Sequence, residues 1–168
     1  MSLEVAKKII DKEMLADDGF NSVTIDFFGG EPFLEFQKIK ELADFIISQN
    51  YDKNYIMFAT TNGTLIHGEI QQWLIEKQEI FQIGLSLDGT KMMHDLNRSN
   101  SFNDIDLDFY RKYYSHQGIK MTISQQTLPY LFEGVKFCHD LGLDCNCNLA
   151  HGIDWSNENN KFILEREL

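Results

Sequence analysis

The stretch SVTIDFFGGEPFLEFQKIKELADFIIS, Ser22 to Ser48, decides how the rest of the chain is read. Its first seven residues, Ser22–Phe28, are mostly β-branched or aromatic and run into a pair of glycines, as a strand runs into a turn. From Phe36 to Ser48 the period changes. Ile39, Leu42, Ala43, Ile46 and Ile47 recur at helical spacing and make one apolar stripe, with Lys38, Lys40, Glu41 and Asp44 mostly on the other side. A strand, a Gly-Gly turn and an amphipathic helix form one strand–helix unit of the kind from which parallel sheets are built.

The alternation continues on both sides of this unit. Tyr55–Thr60, Phe81–Leu87, Lys120–Gln125 and Asp144–Leu149 read as further strands. His67–Lys77, with Ile70, Trp73 and Leu74, and Tyr130–Leu141, with Leu131, Val135 and Cys138, read as helices, the second stopped by Gly142. Upstream, Val5–Ala16 opens the chain as a helix through Ile9, Ile10 and Met14. The fold class is therefore α/β, with about five parallel strands joined by right-handed crossovers, either an open doubly wound sheet or part of a (β/α) barrel. A full eight-stranded barrel takes about 250 residues. The 168 residues are expected to form one truncated domain, a partial TIM-like barrel open on the side where a first strand would precede Val5–Ala16.

Composition narrows the function. Fifteen Lys and Arg against 26 Asp and Glu give a net charge of -11, which repels phosphate backbones and argues against nucleic acid as a partner. No apolar run approaches the roughly 20 residues that span a bilayer, and no signal-peptide core follows Met1, so a cytoplasmic protein without membrane contact is expected. The odd number of cysteines, Cys138, Cys145 and Cys147, points to reduced thiols rather than a disulfide framework.

In a parallel sheet the loops at the carboxyl ends of the strands carry function. The first strand ends in Gly29-Gly30-Glu31-Pro32: paired glycines let a ligand approach the backbone, and Glu31 offers a carboxylate to an ammonium group. The second ends in Thr61-Asn62-Gly63-Thr64-Leu65, a polar turn. The third ends in Ser86-Leu87-Asp88-Gly89, followed by His94, Asp95 and Arg98. Ser86 and Asp88 share a strand face, and Arg98 has the fork to hold a carboxylate. Each cluster alone also reads as a turn or a helix cap. Together, at one mouth of one sheet, they predict a pocket for a zwitterionic, ribose-bearing ligand.

In order and spacing these motifs resemble the radical S-adenosylmethionine enzymes, and within them the anaerobic sulfatase-maturating and related peptide-modifying enzymes. The resemblance runs from about Val5 to about His151 and is most specific at Ser86-Leu87-Asp88-Gly89 with His94-Asp95 and Arg98. It implies that Gly29, Gly30 and Glu31 contact the methionine amino group, that Ser86 and Arg98 serve the carboxylate and neighbouring polar groups, and that Thr61, Asn62 and Asp88 belong to the same pocket. It also implies an oxidoreductase working under anaerobic conditions in protein maturation. A [4Fe-4S] iron–sulfur cluster cleaves S-adenosylmethionine there, and a protein or peptide is the substrate.

Family members hold that cluster with a C-x3-C-x2-C loop upstream of the Gly-Gly-Glu segment, and no such motif occurs here. Cluster ligation is thiolate chemistry, so the cofactor belongs to a full-length parent and the chain alone is expected to be inactive. Truncation is the favoured reading of the absent motif. A barrel that has lost its cluster loop and binds a peptide or a nucleotide-like ligand without catalysis is the alternative. A missing first strand leaves Ser22–Phe28 with an unpaired edge and predicts self-association.

Three features are set aside. Cys145-Asn146-Cys147, with Cys138 and His151, has the spacing C-x6-C-x-C-x3-H, which maps onto no zinc module, so buried thiols and no bound metal are expected. Asp104, Asp106 and Asp108 imitate a calcium loop, but Phe109 stands where Gly is needed. The aromatics Phe109, Tyr110, Tyr113 and Tyr114 fall at helical spacing and are expected to pack on the sheet, and His67, His116 and His139 lack a recognisable partner.

Overall fold

The computed structural model describes Met1–Leu168, and helices and strands alternate along it. In order they are α1 (Leu3–Met14), β1 (Ser22–Asp26), α2 (Phe36–Ser48), β2 (Asn54–Thr61), α3 (Glu69–Glu76), β3 (Phe81–Leu85), α4 (Lys91–Asn97), α5 (Leu107–Tyr113), β4 (Ile119–Ile123), α6 (Leu131–Asp140), β5 (Cys145–Leu149) and α7 (Glu158–Glu167). The chain divides into two compact units, Met1–Thr61 with Gly68–Ile83, and Asn62–His67 with Gly84–Leu168. No helix is long and apolar enough to cross a membrane.

The first unit holds β1, β2 and the start of β3, in the order β1-β2-β3. β1 and β2 run parallel, from Ser22 opposite Asn54 to Asp26 opposite Phe58. β1 has no neighbour on its other side, so the sheet is open there. Of the stripe read from the sequence on α2, Ile39, Leu42, Ala43 and Ile46 are buried, joined by Phe36, while Ile47 is only half-buried. They meet an aromatic cluster in which Trp73 lies edge-on to Phe81 at 5.0 Å and to Phe36 at 5.5 Å, while Phe27 stacks on Phe81 at 5.6 Å. Edge-to-face and offset pairs are the favoured geometries of rings whose faces are negative and edges positive. α1 is capped by Ser2, whose hydroxyl accepts from the Val5 N–H, and it buries Ala6, Ile10 and Met14.

In the second unit β4 and β5 pair in parallel, Ile119 opposite Cys145 through Ile123 opposite Leu149. A single bridge from Ser86 to Lys120 extends the end of β3 along β4. Of the aromatics in and just after α5, Phe109, Tyr110 and Tyr114 are buried, while Tyr113 is only half-buried. The acidic run before them is explained without calcium: Asp106 caps α5 by accepting from the Phe109 N–H, and Asp108 pairs with Arg111.

Several boundaries differ from the sequence reading. β1 stops at Asp26 rather than Phe28, because Phe28 swings out to 88% exposure after Phe27 makes a last bond to the Phe58 carbonyl. α3 starts at Glu69 rather than His67, since Gly68 takes the left-handed φ of 51° that breaks the helix before it. The segment holding His94 is a helix, α4, with Thr90 at its cap position. α7 is a further element beyond the sequence reading. It is amphipathic only weakly and exposes Phe162, so its periodicity carries little signal.

Candidate functional site

In the first unit the Gly-Gly-Glu segment follows β1 directly. Glu31 occupies the cap of a short 3-10 turn, Pro32–Glu35, and its Oε1 accepts from the Phe33 N–H at 3.2 Å. The same oxygen accepts from the Thr61 hydroxyl at 2.8 Å, which ties the end of β1 to the end of β2. Thr61 is buried and Glu31 half-buried, so the carboxylate is fixed in place while keeping a face toward solvent. Gly29 and Gly30 are exposed, and a Cβ built on either would meet nothing within 4 Å. They leave open space beside the carboxylate. This segment lines one end of a groove of about 770 Å³ that continues along β1 past Ile9, Ile10 and Met14 of α1 and Ile39 of α2.

The remaining predicted residues lie in the second unit. Asn62 closes a turn on itself: its Oδ1 accepts from the Thr64 N–H at 3.0 Å and the Thr64 hydroxyl at 2.8 Å. Gly63 completes that turn with φ 83°, and a Cβ there would stand 2.8 Å from Leu85 Cδ1. Ser86 bridges to β4, and next to it the Leu87 N–H donates to the Lys120 carbonyl.

Asp88 is the hub of the unit. Its carboxylate, 1% exposed, accepts four hydrogen bonds, from Arg98 Nε at 2.7 Å, Arg98 Nη2 at 3.1 Å, Asn97 Nδ2 at 3.2 Å and the Thr122 N–H at 2.8 Å. The fork of Arg98 thus already holds a carboxylate, and that carboxylate belongs to the protein. Asp88 is turned inward onto Arg98, whereas Ser86 pairs with Lys120 on the neighbouring strand.

His94 locks the same turn. It is fully buried, its Nδ1 receives the Asp88 N–H at 3.3 Å, and its Nε2 stands 3.1 Å from the Ser101 hydroxyl. An Nδ1 that accepts requires the proton on Nε2, which donates to Ser101, so the ring is neutral. Burial lowers its pKa below the ordinary 6.5, against the pull of Asp88. Asp95 accepts from the Phe102 N–H and pairs with Lys91, and the Lys91 hydrogen bond holds its carboxyl below the usual range. The most specific motif of the sequence is therefore an internally bonded turn. Asn97, Ser101 and Thr122 complete it. Asn97 carried a signal, one helical turn after His94, whereas Thr122 acts through its backbone and carried none.

His67 does have a partner, since its Nε2 lies 2.9 Å from the Asp104 carbonyl. The cysteines also depart from expectation. Cys138 is buried, Cys145 is partly exposed and Cys147 is exposed, because β5 lies at the edge of its sheet. Burial pushes the Cys138 thiol up to about 12, and partial desolvation of the sulfur, with the neighbouring Cys145 thiol, pushes that of the otherwise exposed Cys147 up to about 11. No group of three or more His, Cys, Asp or Glu side chains stands together as metal ligands, so the residues present do not fit a [4Fe-4S] cluster.

Parallel strands alternating with helices, and polar turns at the strand ends, define an α/β chain of the barrel-forming class. No family model matches the sequence. It is 31% identical over 150 residues to an uncharacterized protein of Methanocaldococcus jannaschii, covering 85% of this chain and 50% of that one. It is 31% identical over 141 residues to the cysteine-type anaerobic sulfatase-maturating enzyme of Clostridium perfringens strain 13, covering 76% of this chain and 36% of the enzyme. Among solved structures, polyhistidine-tagged anSMEcpe with bound AdoMet superposes with a TM-score of 0.80 at 20% identity, covering 98% of this chain and 47% of that one. Native anSMEcpe with bound AdoMet and the Kp18Cys peptide gives 0.77 at 23% identity, covering 89% and 43%. The chain is a distant homologue of the anaerobic sulfatase-maturating enzymes, which are radical S-adenosylmethionine enzymes, and its fold matches their barrel region. It spans between about a third and a half of the length of these curated relatives.

Proposed function

We propose that the chain is the S-adenosylmethionine-binding part of a cytoplasmic radical S-adenosylmethionine oxidoreductase, one that modifies a protein or peptide. The observation that carries this reading is the Glu31 carboxylate, fixed by Thr61 and the Phe33 N–H beside two glycines that leave the adjoining space open. A carboxylate held in this way offers a charge-assisted bond to an ammonium group, and exposed glycine backbone next to it admits the rest of an amino acid. The relative anSMEcpe carries AdoMet and a peptide in its solved structures, which supports the choice of ligand and of substrate class.

In this reading Gly29, Gly30 and Glu31 take the methionine amino end, with Thr61 positioning Glu31. Asp88 and Arg98 hold the turn after β3 within the second unit. When bound, S-adenosylmethionine supplies a sulfonium whose reductive cleavage yields a radical, but the electron source is a cluster that these residues do not ligate. Activity accordingly belongs to a larger protein.

Calorimetry with S-adenosylhomocysteine, in the absence of iron, tests the binding half. Saturable binding that Glu31→Ala abolishes is expected. Absence of heat at millimolar ligand, or equal binding by Glu31→Ala, overturns the reading.

A further inference from the structure

We propose that Cys145, Cys147 and Met121 form a soft-donor site for a single cuprous ion on the edge of the β4–β5 sheet. The register places Met121 opposite Cys147, so the three side chains share one face of the two strands. Cys145 Sγ and Cys147 Sγ stand 3.9 Å apart, and Cys147 Sγ stands 3.7 Å from Met121 Sδ. Two sulfurs that each lie about 2.3 Å from one ion, at tetrahedral to trigonal angles, are separated by roughly 3.7–4.0 Å. Both observed separations fall in that interval.

A disulfide is the competing use of two neighbouring thiols, and the backbone disfavours it. Residues two apart on a strand are separated by roughly 6.5 Å with their Cβ atoms pointing the same way. A disulfide needs Cβ atoms about 3.5–4.5 Å apart. Bridging Cys145 to Cys147 would require the strand to fold on itself, whereas an ion between the sulfurs requires no backbone movement.

The donor set selects the ion. Cys138 interacts with Cys145, yet no three His, Cys, Asp or Glu side chains are grouped to hold an ion, so the third donor is the thioether of Met121. Thiolate and thioether together are the set that favours Cu(I), while structural zinc sites take four thiolate, imidazole or carboxylate donors. Access is provided from one side only: Cys147 is exposed and Cys145 partly so, whereas Met121 is fully buried beneath them. The net charge of -11 further favours a cation near the surface. This site is separate from the one proposed for S-adenosylmethionine and does not depend on it.

The test is anaerobic titration of the reduced full chain with Cu(I) against a chromogenic cuprous chelator, together with the ultraviolet absorption of copper–thiolate bonds. One ion per chain is expected, with zinc at equal concentration failing to displace it. The double variant Cys145→Ser/Cys147→Ser should lose the site. Met121→Leu, which conserves volume, should keep the stoichiometry and weaken binding by about tenfold or more, a scale at which even outer-shell partners act. Circular dichroism checks that each variant folds, and if the double variant does not, Cys147→Ser alone decides. Copper binding that survives loss of both serine-replaced thiols, unchanged affinity in Met121→Leu, or tighter binding of zinc than of copper overturns the assignment.

Discussion

Arg98 grips the buried carboxylate of Asp88 with two prongs, Nε to Oδ2 at 2.7 Å and Nη2 to Oδ1 at 3.1 Å. Removing one partner of such a pair strands the other charge. Asp88→Ala should therefore cost about 3–5 kcal/mol, seen as a large fall in melting temperature. Arg98→Lys should lie between parent and Arg98→Ala, because an ammonium cannot reproduce the fork. Equal melting of Asp88→Ala and the parent would show that the pair does not hold the turn.

His94 makes stability depend on pH in a defined direction. Its folded pKa is below 6.5, so the folded state binds fewer protons than the unfolded state. The contribution is complete above about pH 6.5 and is lost as pH falls through the folded value. Denaturant unfolding between pH 7.5 and 5 should show this decline, and His94→Gln should flatten it. An unchanged slope in the variant would assign the pH dependence to other groups.

The approach of the turn after β3 to α6 is tight at Gly89 and more tolerant at Gly134. A Cβ on Gly89 would stand 2.8 Å from the Gly134 Cα, at a φ of 77°. Gly89→Ala should cost about 1–3 kcal/mol. A Cβ on Gly134 meets the flexible end of Met93 and gains helix propensity, so Gly134→Ala should cost less. Gly30→Ala, with open space around it, should leave melting unchanged and lower ligand affinity in calorimetry.

Thiol labelling should follow burial. At pH 8 Cys138, fully buried with its pKa near 12, should react only when the chain is unfolded, whereas Cys147 should react slowly in the folded state. Mass spectrometry of the labelled peptides separates the two.

The open edge of β1 carries no Pro and no Lys within Ser22–Asp26, the devices that usually blunt an edge. Sedimentation should show self-association rising with concentration, reduced in Thr24→Lys. A strict monomer at high concentration would refute it.

The α/β alternation was legible because its signals are local. The stripe Ile39, Leu42, Ala43, Ile46 and the β-branched strands each announce themselves within one element. Helix α4 was not, because it is only seven residues long and of its apolar residues Met93 is buried while Met92 and Leu96 are exposed. The polar residues at the strand ends were also legible, but their partners were not. Thr122 lies 34 positions from Asp88 and meets it through a backbone N–H that every residue but proline possesses. Likewise, Met121 became a neighbour of Cys147 only through the register of two strands.

The bonds that converge on Asp88 and His94 have a consequence for recognition. A loop that must be ordered by its ligand takes the lost freedom out of the binding energy, at about 1–2 kcal/mol for each backbone residue fixed. Between Ser86 and Ser101 that ordering is completed when the chain folds, so any ligand docking there would meet a surface already set and keep more of its contact energy as affinity.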